Sequence, residues 1–197
     1  MKKIPFFEYP RLWLEERETF ISIIDKISSS GSFIMQSELV TFEEELSSYT
    51  DSKYSLGVGN ATDAMEIYLQ AIGLQKGDEV IISSHTMLAT ASAIIHAGGT
   101  PVPVDIGPDN LIDPDCIEDS INSRTVGVLP TQLNGRTCNM DRIEEIASRN
   151  NLFLVEDSAQ ALGSKYKNRF AGTFGMGACI SFFPAKVLGC FGDAGAI

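Results

Sequence analysis

From Tyr54 onward the chain alternates short apolar runs with stretches of helical period, and that alternation leaves few folds open. The runs are 54–58 (YSLGV), 79–83 (EVIIS), 101–105 (PVPVD), 126–130 (VGVLP), 152–156 (LFLVE) and 178–183 (ACISFF). Helix candidates occupy 62–72, 87–97, 113–121 and 139–149. In the last of these Asn139 stands where a cap belongs, and Met140, Ile143, Ile146 and Ala147 share one face. Near-continuous apolar strands separated by helices need cover on both faces. The expectation is an α/β domain with a mostly parallel sheet and helices on both sides. Ligands of such sheets sit beyond the carboxyl ends of the strands, so the polar residues that follow each run are the ones to read.

Ahead of this core lie two amphipathic helix candidates, 11–29 and 37–49. Leu12, Phe20, Ile23, Ile24 and Ile27 mark one stripe, Leu39, Phe42 and Leu46 the other, and SSSGSF breaks them apart. With no repeat, low-complexity tract or linker, residues 1–197 read as one domain: a helical segment over 1–50 and an α/β core over 51–197. The closing GDAGAI has the look of a strand opening, so a fragment of a longer chain is expected.

Charge narrows the partners. Fifteen basic against 26 acidic residues give a formal charge of −11, which repels phosphate backbones and anionic lipid; neither nucleic acid nor a membrane is an expected partner. A bound phosphate must then be held by local geometry. Cys116, Cys138, Cys179 and Cys190 have no CxxC spacing and read as reduced thiols. His85 and His96 are the only histidines, so no metal site is expected. The start, MKKIPFFEYPRLWLEERE, meets acidic residues before any sustained apolar stretch and does not read as a secretory signal. No apolar run approaches membrane-spanning length. A soluble, cytoplasmic protein is the expectation.

Three segments carry chemistry. In GVGNATDAM (57–65) a strand ends at Val58 and a helix begins near Thr62 or Asp63. The first amides of a helix lack acceptors and sit at the positive end of the macrodipole, which makes an anion site without a lysine. The plainer reading is that Asn60 or Thr62 merely caps a buried helix. The segment has neither GK[ST] nor GxGxxG, so a nucleotide loop is disfavoured. In LFLVEDSAQALG (152–163) four apolar residues deliver Glu156 and Asp157 to a strand end, where a carboxylate either faces the ligand crevice or caps the next helix. In ACISFFPAKVLGCFGDAGA (178–196) Lys186 follows Pro184 at the same rim, among Ala185, Val187 and Leu188. Apolar company favours a nucleophilic amine; an ordinary exposed loop lysine is the alternative. Together, a helix-start anion site, a strand-end Asp and a loop Lys match what pyridoxal phosphate (PLP) requires: a phosphate cradle, a partner for the pyridine nitrogen and an amine.

The run from SGSFIMQSELVTFEEELSSY through GNATDAM, GDEVIISSHTMLATASAIIHAGGTPVPVDI, VEDSAQALGSKY and SFFPAKVLGCFGDAGA resembles the DegT/DnrJ/EryC1/StrS sugar aminotransferases, in order and over essentially the whole chain. The resemblance implies the large domain of type I PLP transferases, with a seven-stranded sheet whose last strand begins at the present C-terminus. It implies Lys186 as the Schiff-base lysine and Asp157 as the partner of the pyridine nitrogen. Gln160 would lie near the ring hydroxyl, and the Ala61 amide, Thr62 and Ser181 would hold the phosphate. Where the family places an aromatic residue against the ring, this chain has Met87, whose polarizable thioether also covers a ring face. Gln132 stands where histidine is frequent and Gln36 where glycine is. The implied reaction moves an amino group, with L-glutamate as donor, to a nucleotide-linked keto-sugar in a homodimer. Three other readings stay in view. A PLP-dependent sugar dehydratase of the family would carry histidine in place of Lys186. A non-catalytic fragment or pseudo-enzyme would bind PLP without turnover. A nicotinamide-dependent enzyme lacks its glycines here.

Overall fold

The computed structural model describes residues 4–197. It forms two compact units, one running to Glu45 and one spanning Leu46–Ile197. The first holds helix α1, Tyr9–Ser30, and most of α2, Ser37–Thr50. Pro10 starts α1, where a missing N–H costs nothing. Gly31 ends it at φ 72° in the left-handed conformation, its amide on the Ile27 and Ser28 carbonyls. No α1 side chain is buried, so the apolar stripe at Leu12, Ile23 and Ile24 remains exposed.

The second unit is built on strands β1 (Gly57–Val58), β2 (Glu79–Ser83), β3 (Thr100–Val104), β4 (Thr125–Leu129) and β5 (Phe153–Asp157). After a small hairpin, β6 (Lys165–Tyr166) with β7 (Arg169–Phe170), come β8 (Gly177–Ser181) and β9 (Gly195–Ala196). Helices α3 (Ala61–Ala71), α4 (Leu88–His96), α5 (Pro114–Asp119) and α6 (Met140–Arg149) connect them. One seven-stranded sheet results, in the order β1-β9-β8-β5-β4-β2-β3. From β8 to β3 every pair is parallel; β9 is antiparallel to both of its neighbours. Pro101 and Pro103 lie in β3, which pairs only with β2, as befits residues that cannot donate to a second ladder.

Side-chain alternation splits the core in two. Ile81, Val128 and Leu154 pack with Ile117, Met140, Ile143 and Ile146 on the α5/α6 face. Val80, Ile82, Leu129 and Cys179 pack with Ala64, Met65, Leu69, Ala93 and Ile94 on the α3/α4 face. Asn139 caps α6 through its side-chain oxygen, which accepts from the Arg142 amide. The first expected strand, 54–58, needs correction: only Gly57 and Val58 form strand, at the antiparallel edge. Beyond them Leu56 and Ile197 exchange both backbone hydrogen bonds, and Tyr54 and Ser55 lie outside the ladder.

Candidate active site

β5 runs from the partly covered Phe153 through three buried residues to Asp157, whose side chain points to the α3/α4 face and is 3% exposed. Its carboxylate is fully engaged on one side. Oδ2 accepts from the Thr90 hydroxyl at 2.7 Å and lies 3.4 Å from that of Thr131, while Oδ1 accepts from the Ala159 amide at 3.2 Å. Burial pushes the carboxyl above the ordinary carboxylate range; the Thr90 hydroxyl, the Ala159 amide and the charge of Lys186 oppose the rise. That last influence places Lys186 within electrostatic reach of Asp157. β8 is the parallel neighbour of β5, with Cys179 beside Asp157. The chain leaves β8 at Ser181 and turns at Pro184–Ala185, the Lys186 amide closing on the Phe183 carbonyl at 2.8 Å. Half-buried, Lys186 lines a pocket of about 280 Å3 with Asn134, Gly135, Gln160, Ala185 and Val187.

The anion-binding segment sits at the same end of the sheet. α3 begins at Ala61, a residue before the expected start, and Asn60 caps it by accepting from the Asp63 amide at 2.8 Å. The cap is real, and it leaves the Ala61 and Thr62 amides with no backbone acceptor. Ser181 pairs across the ladder with Gly195. A Cβ on Gly195 would come within 2.4 Å of the Asn60 carbonyl carbon and 2.7 Å of the Ala61 nitrogen. Only glycine lets β9 approach the helix start so closely, and Ser181 is the residue that β8 pairs with it. The Ser181 oxygen accepts from the Phe183 amide at 3.3 Å, so its proton is available to a ligand. Two amides at the positive end of a helix are a candidate anion site, with the Ser181 hydroxyl a candidate third donor.

Gln160 is held from behind. Its side-chain oxygen accepts from the Asn134 amide and its carbonyl from the Gly135 amide, both at 3.0 Å, which leaves its NH2 as the group free to donate into the pocket. Met87 precedes α4, is 59% exposed and makes no side-chain cap. Three residues of this region gave no signal in the sequence: Thr86, Thr90 and Thr131, whose hydroxyls link to one another and to Asp157. A larger cavity, about 490 Å3, lies by the amino-terminal start of β8 among Lys53, Tyr54, Tyr68 and Met176. It contains none of the expected residues.

Adjacent Glu156 points to the other face and has a structural role. It is fully buried and accepts from the Gln132 side chain and from the Gly172 and Phe174 amides at 2.5, 3.0 and 2.7 Å. Gln132, by accepting from the Cys138 amide at 2.7 Å, fixes its own orientation. The position where the resemblance brought histidine to mind therefore belongs to this packing and not to the pocket.

Comparison with known proteins places this arrangement. The model of the DegT/DnrJ/EryC1/StrS aminotransferase family matches residues 14–197. A dTDP-3-amino-3,4,6-trideoxy-alpha-D-glucose transaminase of Streptomyces venezuelae is 38% identical over 196 residues, 99% of this chain and 52% of the relative. A GDP-perosamine synthase of Caulobacter vibrioides is 37% identical over 95% of this chain and 51% of its own length. Among solved structures, S. venezuelae DesV superposes with a TM-score of 0.95 at 38% identity, covering 100% of this chain and 53% of DesV. A Bacillus subtilis structure with bound PMP gives 0.91 at 36% identity over 100% of this chain and 45% of that one. The chain spans about half the length of these relatives. The fold is the large-domain α/β fold of type I PLP transferases, and the chain belongs to the DegT/DnrJ/EryC1/StrS aminotransferase family.

Proposed function

We propose that residues 1–197 are the cofactor-binding large domain of a PLP-dependent aminotransferase that passes an amino group from L-glutamate to a nucleotide-linked keto-sugar. One observation carries the reading: a buried strand-end carboxylate, Asp157, stands beside β8, whose following turn carries Lys186, at the sheet end where α3 offers unpaired amides. The names of relatives support the substrate class, for they include dTDP-sugar and UDP-sugar aminotransferases. Another is named a 3-oxo-glucose-6-phosphate:glutamate aminotransferase, which supports the donor.

The residues present fit PLP. The Ala61 and Thr62 amides and the Ser181 hydroxyl would hold its phosphate, Gln160 would donate to its ring hydroxyl, and Met87 would cover a ring face. When bound, PLP supplies a sink for the electrons left behind as a substrate carbon loses its proton. Asp157 would hold a proton on the ring nitrogen, because a buried carboxylate stabilises a cation beside it. Lys186 would hold the cofactor through its Nζ, and the same amine, when free, would serve as the base and acid that moves a proton at the substrate carbon. Ala185 and Val187 flank that amine in the pocket.

The same reading makes the protein a cytoplasmic homodimer that serves polysaccharide synthesis. Exposed Phe33, Ile34 and Met35, at 74%, 75% and 82%, supply apolar surface for a second subunit. Among the described residues no helix is long and apolar enough to cross a membrane. Amino transfer from glutamate to a panel of dTDP-, UDP- and GDP-linked keto-sugars tests the proposal. Lys186→Ala abolishes transfer while the protein stays folded. Full activity in K186A contradicts the assignment.

A further inference from the structure

Four oxygens form a closed ring on the α3/α4 side of the sheet. Thr90 Oγ1 lies 2.7 Å from Asp157 Oδ2, and Thr86 Oγ1 lies 2.8 Å from both Thr90 Oγ1 and Thr131 Oγ1. Thr131 Oγ1 closes the ring at 3.4 Å from Oδ2. Thr90 is fully buried in the first turn of α4, and Thr131, 3% exposed, follows β4 and bridges to Asp157. Thr86 lies between β2 and α4. The segment after β2 therefore contributes two hydroxyls and the end of β4 one to a ring that closes on a single carboxylate from β5.

Proton counting gives the ring a direction. An ionised carboxylate only accepts, so Thr90 donates to Oδ2. The Thr90 oxygen must then accept from Thr86, and Thr86 must accept from Thr131, whose proton takes the 2.8 Å contact over the 3.4 Å one. Each hydroxyl is polarised by the one behind it, which strengthens the last bond in the series. Oδ2 then has Thr90 as its donor and Thr131 Oγ1 packed 3.4 Å away. Oδ1 has only the Ala159 amide and keeps a lone pair for a cationic N–H.

We propose that Thr90 is a positioning residue: its hydroxyl, driven by Thr86 and Thr131, clamps Oδ2 of Asp157 so that the side chain stays an ionised acceptor with Oδ1 as its free oxygen. The inference deepens the reading of Asp157 as the partner of the PLP ring nitrogen and rests on it for its purpose, though not for its geometry. Other titratable groups facing Asp157 are Lys186 and Cys179, and burial keeps the Cys179 thiol neutral.

The test compares Thr90→Val, which keeps the shape and removes the hydroxyl, with Thr90→Ser, which keeps the hydroxyl. Carboxyl 13C NMR of aspartate-labelled protein without PLP follows Asp157 directly, its signal identified by loss in Asp157→Asn. T90V raises the Asp157 midpoint by about one to two pH units, the size expected for a lost hydrogen bond to a charge; T90S leaves it within a few tenths. In PLP-loaded protein the pH midpoint of the visible absorbance moves in T90V and not in T90S. Equal shifts in both variants, or none in T90V, overturn the proposal. Should T90V not fold, Thr86→Val breaks the series one hydroxyl further out and gives a smaller upward shift; its absence also overturns the proposal. A shifted carboxyl in a protein that shows no PLP-dependent absorbance supports the threonine clamp and contradicts the cofactor reading alone.

Discussion

Glu156 and Asp157 are consecutive on β5 and point to opposite faces, so one strand places a structural and a candidate catalytic carboxylate side by side. Burial pushes the Glu156 carboxyl up to about 7, against the Gly172 and Phe174 amides and the Gln132 side chain. An unfolded glutamate titrates near ~4.3. Folding therefore takes up a proton between these values, and the stability this group contributes is complete below the unfolded value and is lost as pH rises through about 7. Urea denaturation from pH 4.5 to 8 should show wild-type stability falling with pH more steeply than Glu156→Gln; identical slopes contradict the assignment. At this scale the sequence was legible where chemistry has a local signature. Four apolar residues before the acidic pair pointed to a strand end, and β5 does end at Asp157, buried against Thr90; the apolar neighbours of Lys186 left an ordinary loop lysine open. The threonine ring had no such signature: Thr86 and Thr90 lie one helical turn apart, but only the sheet brings them to Thr131 and Asp157.

Secondary-structure elements with strong periodicity were legible almost to the residue. β2 spans the expected 79–83, and α6 buries Met140, Ile143, Ile146 and Ala147 behind the Asn139 cap. Short edge pieces were not. β6 and β7 have two residues each, with Lys167 at φ 55° in the turn between them, too little chain to carry a period of two. The run 54–58 overreached because β9 offers it so short a ladder. The entry into β8 depends on Gly175, at φ +64°. A Cβ there would lie 2.3 Å from the Leu154 carbonyl oxygen and 2.7 Å from its Cβ and Cγ. Gly175→Ala combines left-handed strain with overpacking against β5, so a loss of roughly 2–4 kcal/mol is expected in urea unfolding. A loss below about half a kcal/mol would mean that this turn relaxes freely.

For the whole molecule, a chain of net charge −11 would need a local solution to hold a phosphorylated cofactor, and the backbone amides at the start of α3 are the candidate. Sheet order brings that helix start, the end of β5 and the turn after β8 to one end of the sheet, though the first is residue 61 and the others lie at 157 and beyond 181. The central claim is that these three segments form one PLP site whose amine is Lys186. Borohydride reduction of the PLP-treated protein, followed by peptide mapping, tests it most directly. The account predicts one phosphopyridoxyl group per chain, on the peptide containing Lys186, and none at that position in Asp157→Ala. Label spread over surface lysines such as Lys53 and Lys76, with Lys186 unmodified, contradicts it.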